Sequence, residues 1–294
     1  MDTRETELAN WGEMQPGVER EVAGSSLEVI EPLLAGRFYP AEKEFLSRTI
    51  QKYLEAIPPW DLEPPKAIIS PHAGLTYSGH VAGMAYAGWK KLPHIKQVVL
   101  FGSSAVYDFP GIALPDSQVF KTPLGSMAVN SQQSGKLLRH RFVRKFEAPF
   151  LGEHSIELQL PFIQTIFSDA LLTPLIVGRA EIGQVSSLIE EIWGGPETRI
   201  VISSNLTAKT EPISAEKEGH KNAGLIQKRA WSSLKTAESP GFRALKPFLK
   251  IANQKDVICR LALLENVNVA GDSHEETNAF GAFYFFEPEK NLEK

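Results

Sequence analysis

The chain has 294 residues, of which 43% are hydrophobic and 22% charged, with 31 basic and 35 acidic residues giving a formal net charge of -4. That composition suits a globular protein long enough to bury a core without staples, and it gives no electrostatic case for nucleic acid or an anionic membrane surface. The single cysteine, Cys259, excludes an intrachain disulfide and every multi-cysteine zinc site.

Residues 1–29 read as a loose polar extension without a signal-peptide core or a membrane span, so the cytoplasm is the expected compartment. One domain is expected over 30–290, because no Pro/Gly/Ser linker divides it. Helical spacing over 42–56 puts Phe45, Ile50, Tyr53 and Leu54 on an inner face. A strand over 66–70, a helix over 79–91 and a strand over 97–101 follow. Residues 155–167 carry apolar positions at helical spacing, with Pro161 breaking or kinking the run. A strand over 171–177, a helix over 181–193 and a β-branched strand over 199–203 come next. Residues 214–235 read as helical. So do 256–265, with Val257, Leu261 and Leu264 facing inward and Cys259 in the core. Closing strands are expected over 268–270 and 279–286. Alternating strands and helices imply one α/β domain, its largely parallel or mixed sheet flanked by helices on both faces.

Four strand ends carry small or polar tails: Ser70-Pro71-His72, Gly102-Ser103-Ser104, Ser203-Ser204-Asn205 and Gly271-Asp272-Ser273. Parallel strands bring such ends to one edge of the sheet, where α/β folds bind ligands. His72 therefore stands where a strand gives way to a helix. The same residues also make ordinary tight turns, so only their convergence points to a pocket.

The chain resembles the Memo family in an ordered set of blocks. These are Leu34-Ala35-Gly36-Arg37-Phe38-Tyr39-Pro40, Pro71-His72-Ala73-Gly74 with Tyr77-Ser78-Gly79, and Lys121-Thr122-Pro123-Leu124-Gly125. Glu153-His154-Ser155-Ile156-Glu157-Leu158-Gln159-Leu160-Pro161-Phe162, then Gly271-Asp272-Ser273 and Phe280-Gly281-Ala282-Phe283, complete the set. The resemblance implies a fold like that of the class III extradiol ring-cleaving dioxygenases, where two histidines and a carboxylate hold a non-haem iron. In Memo-like proteins a cysteine replaces the carboxylate. Carried over residue by residue, the first histidine is His72. The second position falls on Ala105, after Gly102-Ser103-Ser104. The Ser-Ser-Asp-Leu-Ser-His block reads Ser203-Ser204-Asn205-Leu206-Thr207-Ala208, so its aspartate is Asn205 and its histidine Ala208. The Ala-Cys-Gly block aligns with Ala252-Asn253-Gln254, which puts Asn253 at the cysteine position.

The expected pocket is thus His72, Tyr77, Ser104, Ala105, His154, Asn205, Ala208, Asn253 and Asp272, with His72 the one retained ligand and no catalytic residue. Alanine cannot ligate a metal, Asn is a poor stand-in for an anionic ligand, and neutral Asn205 cannot serve as a general base. His154 reads either as a turn residue or as a pocket wall beside His72. His274, with Glu275 and Glu276, reads as solvated charge.

The expected function is a non-catalytic binding or scaffold protein with a degenerate metal site and no cofactor. Its partner would be an unknown small molecule or a protein or peptide, not nucleic acid or membrane, and a homo-oligomer stays open. The alternative is a metal-dependent oxidoreductase or hydrolase on iron, copper or zinc, with ligands rearranged around His72, His154 and Asp108 or Asp272.

Overall fold

The computed structural model describes residues 28–55, 64–90, 92, 94–104, 106–208, 210–236, 239–269 and 276–288. In chain order the strands are β1 (Val29–Ile30), β2 (Ala67–Ser70), β3 (Gln97–Gly102), β4 (Ile112–Leu114), β5 (Val119–Thr122) and β6 (Gly125–Ala128). They continue with β7 (Val143–Lys145), β8 (Leu171–Val177), β9 (Thr198–Ser203), β10 (Ile258–Asn268) and β11 (Thr277–Phe286). The helices are α1 (Lys43–Glu55), α2 (Leu75–Ala87), α3 (Ser131–Leu137) and α4 (His154–Glu157). After them come α5 (Leu160–Ile166), α6 (Ile182–Glu191), α7 (Pro212–Gln227) and α8 (Phe242–Gln254).

Eight strands form one mixed sheet in the order β10-β11-β2-β9-β3-β8-β4-β7. Its centre, β2-β9-β3-β8, is parallel throughout. On one side β11 runs antiparallel to β2 and β10 antiparallel to β11; on the other, β4 runs antiparallel to β8. Every residue of β2 and β9 is buried, as strands covered on both faces require. Alternation sends Ile68, Val98, Leu100, Ile176 and Val201 to one core with α1, α2 and α5. It sends Ile69, Val99, Phe101, Leu175, Ile200 and Ile202 to a second core with α6, α7 and α8. A separate three-stranded sheet, β1-β5-β6, sits beside the main one in the chain's first half.

On the first face α1 and α2 lie close because α2 offers glycine at the crossing. A Cβ at Gly83 would stand 2.7 Å from both the Cβ and the backbone oxygen of Tyr53. The Tyr53 hydroxyl donates to the Leu75 carbonyl at 2.8 Å and ties α1 to the first turn of α2.

Several expectations are corrected. The segment expected as a helix over 256–265 is the long strand β10. Its apolar residues mimic helical spacing because the pairing slips between Leu261 and Leu263, where a bulge at Ala262 breaks the two-residue alternation. Cys259 accordingly lies half-buried on a strand, not in a helical core. In α1, Leu46 fills the core and Phe45 is 58% exposed. Helix α2 starts at Leu75, ahead of the expected 79, and α7 ends at Gln227, ahead of the expected 235. The break at Pro161 stands: α4 ends at Glu157, and α5 begins at Leu160 with the proline in its first turn, where a missing N–H costs nothing. Among the described residues no helix is long and apolar enough to cross a membrane.

Candidate binding pocket

The parallel centre of the sheet brings the C-terminal ends of β2, β9 and β3 together, so Ser70, Ser203 and Gly102 share one edge. His72 lies two residues past β2. Its backbone N–H donates to Asn205 Oδ1 at 3.0 Å, and its ring Nδ1 is 3.0 Å from Ser203 Oγ. Gln159, at the junction of α4 and α5, completes this corner. Its amide nitrogen donates to the Pro71 carbonyl at 2.8 Å and to Ser203 Oγ at 3.0 Å. Its Oε1 accepts from the Tyr86 hydroxyl of α2 at 2.9 Å. Burial and then the nearby His154 ring lower the His72 pKa to about 3, against a hydrogen bond from the charged ring to the Ser203 backbone that raises it. Water still reaches part of the ring, yet protein surrounds it closely enough to desolvate it; a group at the floor of a recess has both properties.

His154 opens α4 and forms a second wall. Its ring packs on Phe38 at a centroid distance of 4.2 Å, and burial followed by the positive charge of Arg37 lowers its pKa. Phe38 is held by its own loop. The Leu34 and Leu33 backbone N–H groups donate to the two oxygens of Glu157 at 2.8 and 3.2 Å. The Tyr39 hydroxyl donates to the same carboxylate at 2.6 Å. Burial pushes the Glu157 carboxyl up, and these three donors pull it back. Two residues earlier, Ser155 Oγ accepts from Ser103 N–H and donates to the Ser103 carbonyl, both at 3.2 Å, tying α4 to the end of β3. The blocks that are separate in sequence therefore hold one another in place around His72.

The remaining expected positions divide. Tyr77 lies in the first turn of α2 and is 36% exposed. Ser104 is buried and closes a turn, its hydroxyl accepting from the Val106 and Tyr107 N–H groups at 3.2 and 2.9 Å. Asn205 spends its carbonyl oxygen on the His72 backbone, and Ala208 is exposed nearby. Ala105 and Asp272 lie outside the described residues, as do His274 and Glu275. Asn253 requires a correction. It is exposed in the last turn of α8, whereas the opposite end of that helix meets the pocket edge. There Ser239 Oγ donates to the Asn205 carbonyl at 3.0 Å, and a Cβ on Gly241 would collide with Ser204 Oγ. Twelve residues of helix put Asn253 about 18 Å from that end. The tripeptide that reaches the pocket is Ser239-Pro240-Gly241, which carries no thiol.

Asp108 is paired with two arginines, 3.4 Å from Arg179 and 3.5 Å from Arg243. Cys259 lies on β10 across the sheet, with its thiol pushed up by burial. Among the described residues no three His, Cys, Asp or Glu side chains are grouped to hold a metal ion. The side chains hydrogen-bonded to His72 are an amide and a hydroxyl, which do not make the two-histidine-and-carboxylate set of an iron site. Two surface cavities of about 450 and 460 Å³ lie away from this edge, one along β7 and one beneath the starts of β3 and β8. Polar convergence, not volume, marks the pocket.

The sequence marks His72 and His154 as pocket residues and shows Ser203 only as part of a polar strand tail; Ser203, Gln159 and Tyr86 are not among its candidate site residues. None of the three titrates near neutrality, so a search for acid–base or ligand chemistry does not find them. The available signal was Gln159 itself, a polar residue set between Leu158 and Leu160 in an otherwise apolar run.

A family model described as "Memo-like protein" matches residues 31–258. The MEMO1 family protein of Aquifex aeolicus (strain VF5) is 31% identical over 196 residues, covering 65% of this chain and 72% of that protein. The MEMO1 family protein of Pyrobaculum arsenaticum is 34% identical over 161 residues, covering 52% and 57%. The solved structure of the uncharacterized protein JW3007 from Escherichia coli K12 aligns with a TM-score of 0.42 at 12% identity. It covers 74% of this chain and 98% of that one, and a likeness so distant carries no argument. The family model spans the signature loop, the histidine turn, the α4–α5 block and the sheet between them, and the chain belongs to the Memo family.

Proposed function

We propose that this Memo-family chain is a binding protein that keeps the family pocket without metal-dependent catalysis. The observation that carries the reading is the set of neutral side chains at His72. Ser203 and Asn205 bond it directly, and Gln159 holds Ser203 and the preceding carbonyl. Among the described residues no set of three ligands surrounds His72 to anchor iron, copper or zinc, and loss of even a supporting partner typically weakens such sites about 10–100-fold. With its pKa lowered to about 3, His72 is neutral at physiological pH and a weak base, suited to a hydrogen bond more than to proton transfer. The bound partner is then a small molecule or a peptide side chain that enters the recess between His72 and His154.

The competing reading is an oxidoreductase or hydrolase with rearranged ligands, and it draws on the closeness of His154 to His72. One experiment separates the two. Wild-type protein and His72→Ala are exposed to Fe(II), Cu(II) or Zn(II), desalted and analysed for metal. Substoichiometric metal in both supports the binding protein. One equivalent in the wild type that disappears in His72→Ala overturns it.

A further inference from the structure

We infer that Tyr86, Gln159 and Ser203 form a directional hydrogen-bond relay that fixes His72 as its Nε2–H tautomer, so that the pocket presents donors and selects a ligand with an acceptor oxygen. The inference rests on the binding-protein reading and adds the chemical class of the ligand.

The direction follows from groups that have no choice. The Pro71 carbonyl can only accept, so the Gln159 atom 2.8 Å from it must be the amide nitrogen. Gln159 Oε1 then faces the Tyr86 hydroxyl at 2.9 Å, and burial holds that phenol protonated, as a donor. The second hydrogen of the Gln159 amide goes to Ser203 Oγ at 3.0 Å. Ser203 is fully buried, and its hydroxyl keeps one hydrogen to place. Among the described residues the acceptor within reach is His72 Nδ1, 3.0 Å away. The other tautomer would put a hydrogen on Nδ1 and leave the Ser203 hydrogen buried without an acceptor, which costs more than a bond lost to water. The single ring proton of neutral His72 therefore sits on Nε2.

Two consequences meet in the recess. Metal-binding histidines usually donate from one ring nitrogen to a fixed acceptor and offer the other's lone pair to the metal. Here the relay delivers a hydrogen to Nδ1, so Nε2 carries a proton in place of a lone pair. Asn205 is oriented in the same sense. Its oxygen is taken by the His72 backbone N–H, so its NH2 group turns away from that bond as a second donor. Two donors with the Arg37 charge nearby match a carboxylate or an amide carbonyl, and offer nothing to a cation.

The test uses the full chain with ¹⁵N-labelled histidine, its His72 signals assigned against His72→Gln. Two-bond ¹H–¹⁵N spectra at neutral pH report the tautomer directly. The expected wild-type pattern is Nε2–H, whereas Ser203→Ala gains Nδ1–H and Ser203→Thr keeps the wild-type pattern. Sodium acetate and acetamide are the probes for the two acceptor classes, and methylammonium is the control. At least one acceptor probe should move the His72 Nε2 signal, with roughly tenfold weaker binding to Ser203→Ala. A dominant Nδ1–H ring in the wild type overturns the relay, and that spectrum needs no variant to fold. A shift with methylammonium but neither acceptor probe overturns the ligand class. An Nδ1–H ring in a protein that takes up no metal sinks the relay alone; stoichiometric metal at His72 sinks the binding-protein reading beneath it.

Discussion

Strand β2 carries a basic residue just beyond each end, Lys66 before it and His72 after it, about 20 Å apart. Both are desolvated, and burial lowers both pKa values, Lys66 to about 8 and His72 to about 3. They differ in what remains free. The Lys66 ammonium gives its three hydrogens to the carbonyls of Gly195, Thr198 and Gly194 at 2.7, 3.0 and 3.2 Å. Nothing is left for a ligand, and the lysine stitches the start of β2 to the turn that leads into β9. His72 spends one ring nitrogen and its backbone N–H on the fold, and among the described residues nothing takes up its Nε2. Desolvation alone therefore does not mark a functional group. The pocket end of β2 is marked by hydrogen-bonding capacity that the fold does not use up.

Acid should act mainly at the pocket end. An unfolded histidine takes its proton near 6.5, whereas folded His72 does so only near 3. Between those values the unfolded chain binds the extra proton, so stability is full above 6.5 and falls as the pH drops toward 3. The whole drop is worth up to about 5 kcal/mol, and about 3 kcal/mol once the partly water-exposed ring is allowed for. His154 shifts the same way and adds to the slope. Glu157 opposes it, because its raised carboxyl takes a proton in the folded state before the unfolded chain does. Urea unfolding across this range should show the acid slope in the wild type and a much flatter one in His72→Asn. Equal slopes would mean that the ring is not desolvated in solution.

At the other end, Lys66→Met keeps the stem and removes the ammonium, leaving three carbonyls without their donor. The expected loss is about 2–3 kcal/mol, read as a lower urea midpoint at constant slope. The His72 spectrum should not change, because the lysine has no contact with the pocket. A moved His72 signal would show that the two ends are coupled through β2, and the division between them would fail.

The sequence made this contrast legible only in part. The buried strands β2, β3, β8 and β9 stand out as apolar runs, and the polar tails of β2, β3 and β9 point to one edge. The small outer strands β4 to β7 stay hidden because they are short and flanked by no clear alternation. Strand β10 is hidden by its bulge, which makes a two-residue pattern look helical. At the site, His72 is visible by chemistry and His154 by its block. Asn253 enters the expected pocket by resemblance of one short block alone, with no helix expected over 242–254 to show that it lies at the far end. Ser203 shows only as a polar strand tail and Gln159 only within a block, and their role stays hidden for a different reason. What they contribute is direction in a hydrogen-bond chain, and direction depends on neighbours that only folding brings within 3.0 Å.

Glu157 tests the contrast from a third position, since its capacity is divided among partners on one loop. The carboxylate accepts from Leu33, Leu34 and Tyr39, and these bonds carry Phe38 onto the His154 ring. Glu157→Gln keeps one acceptor oxygen and turns an NH2 group toward donors, so at least one bond is lost. It also removes a buried charge, which offsets part of that loss. The net cost should be about 1 kcal/mol, the smallest of the three effects. Its local signature should be larger than its cost. With the signature loop loosened, the His154 resonance should move toward that of a solvated ring, while His72 keeps its tautomer because, among the described residues, Gln159 and Ser203 hydrogen-bond Tyr86, Pro71 and His72 and not the loop. If His154 does not move, the loop is positioned by something other than Glu157. If His72 moves as well, the two walls of the pocket form one unit, and the relay is not independent of the loop.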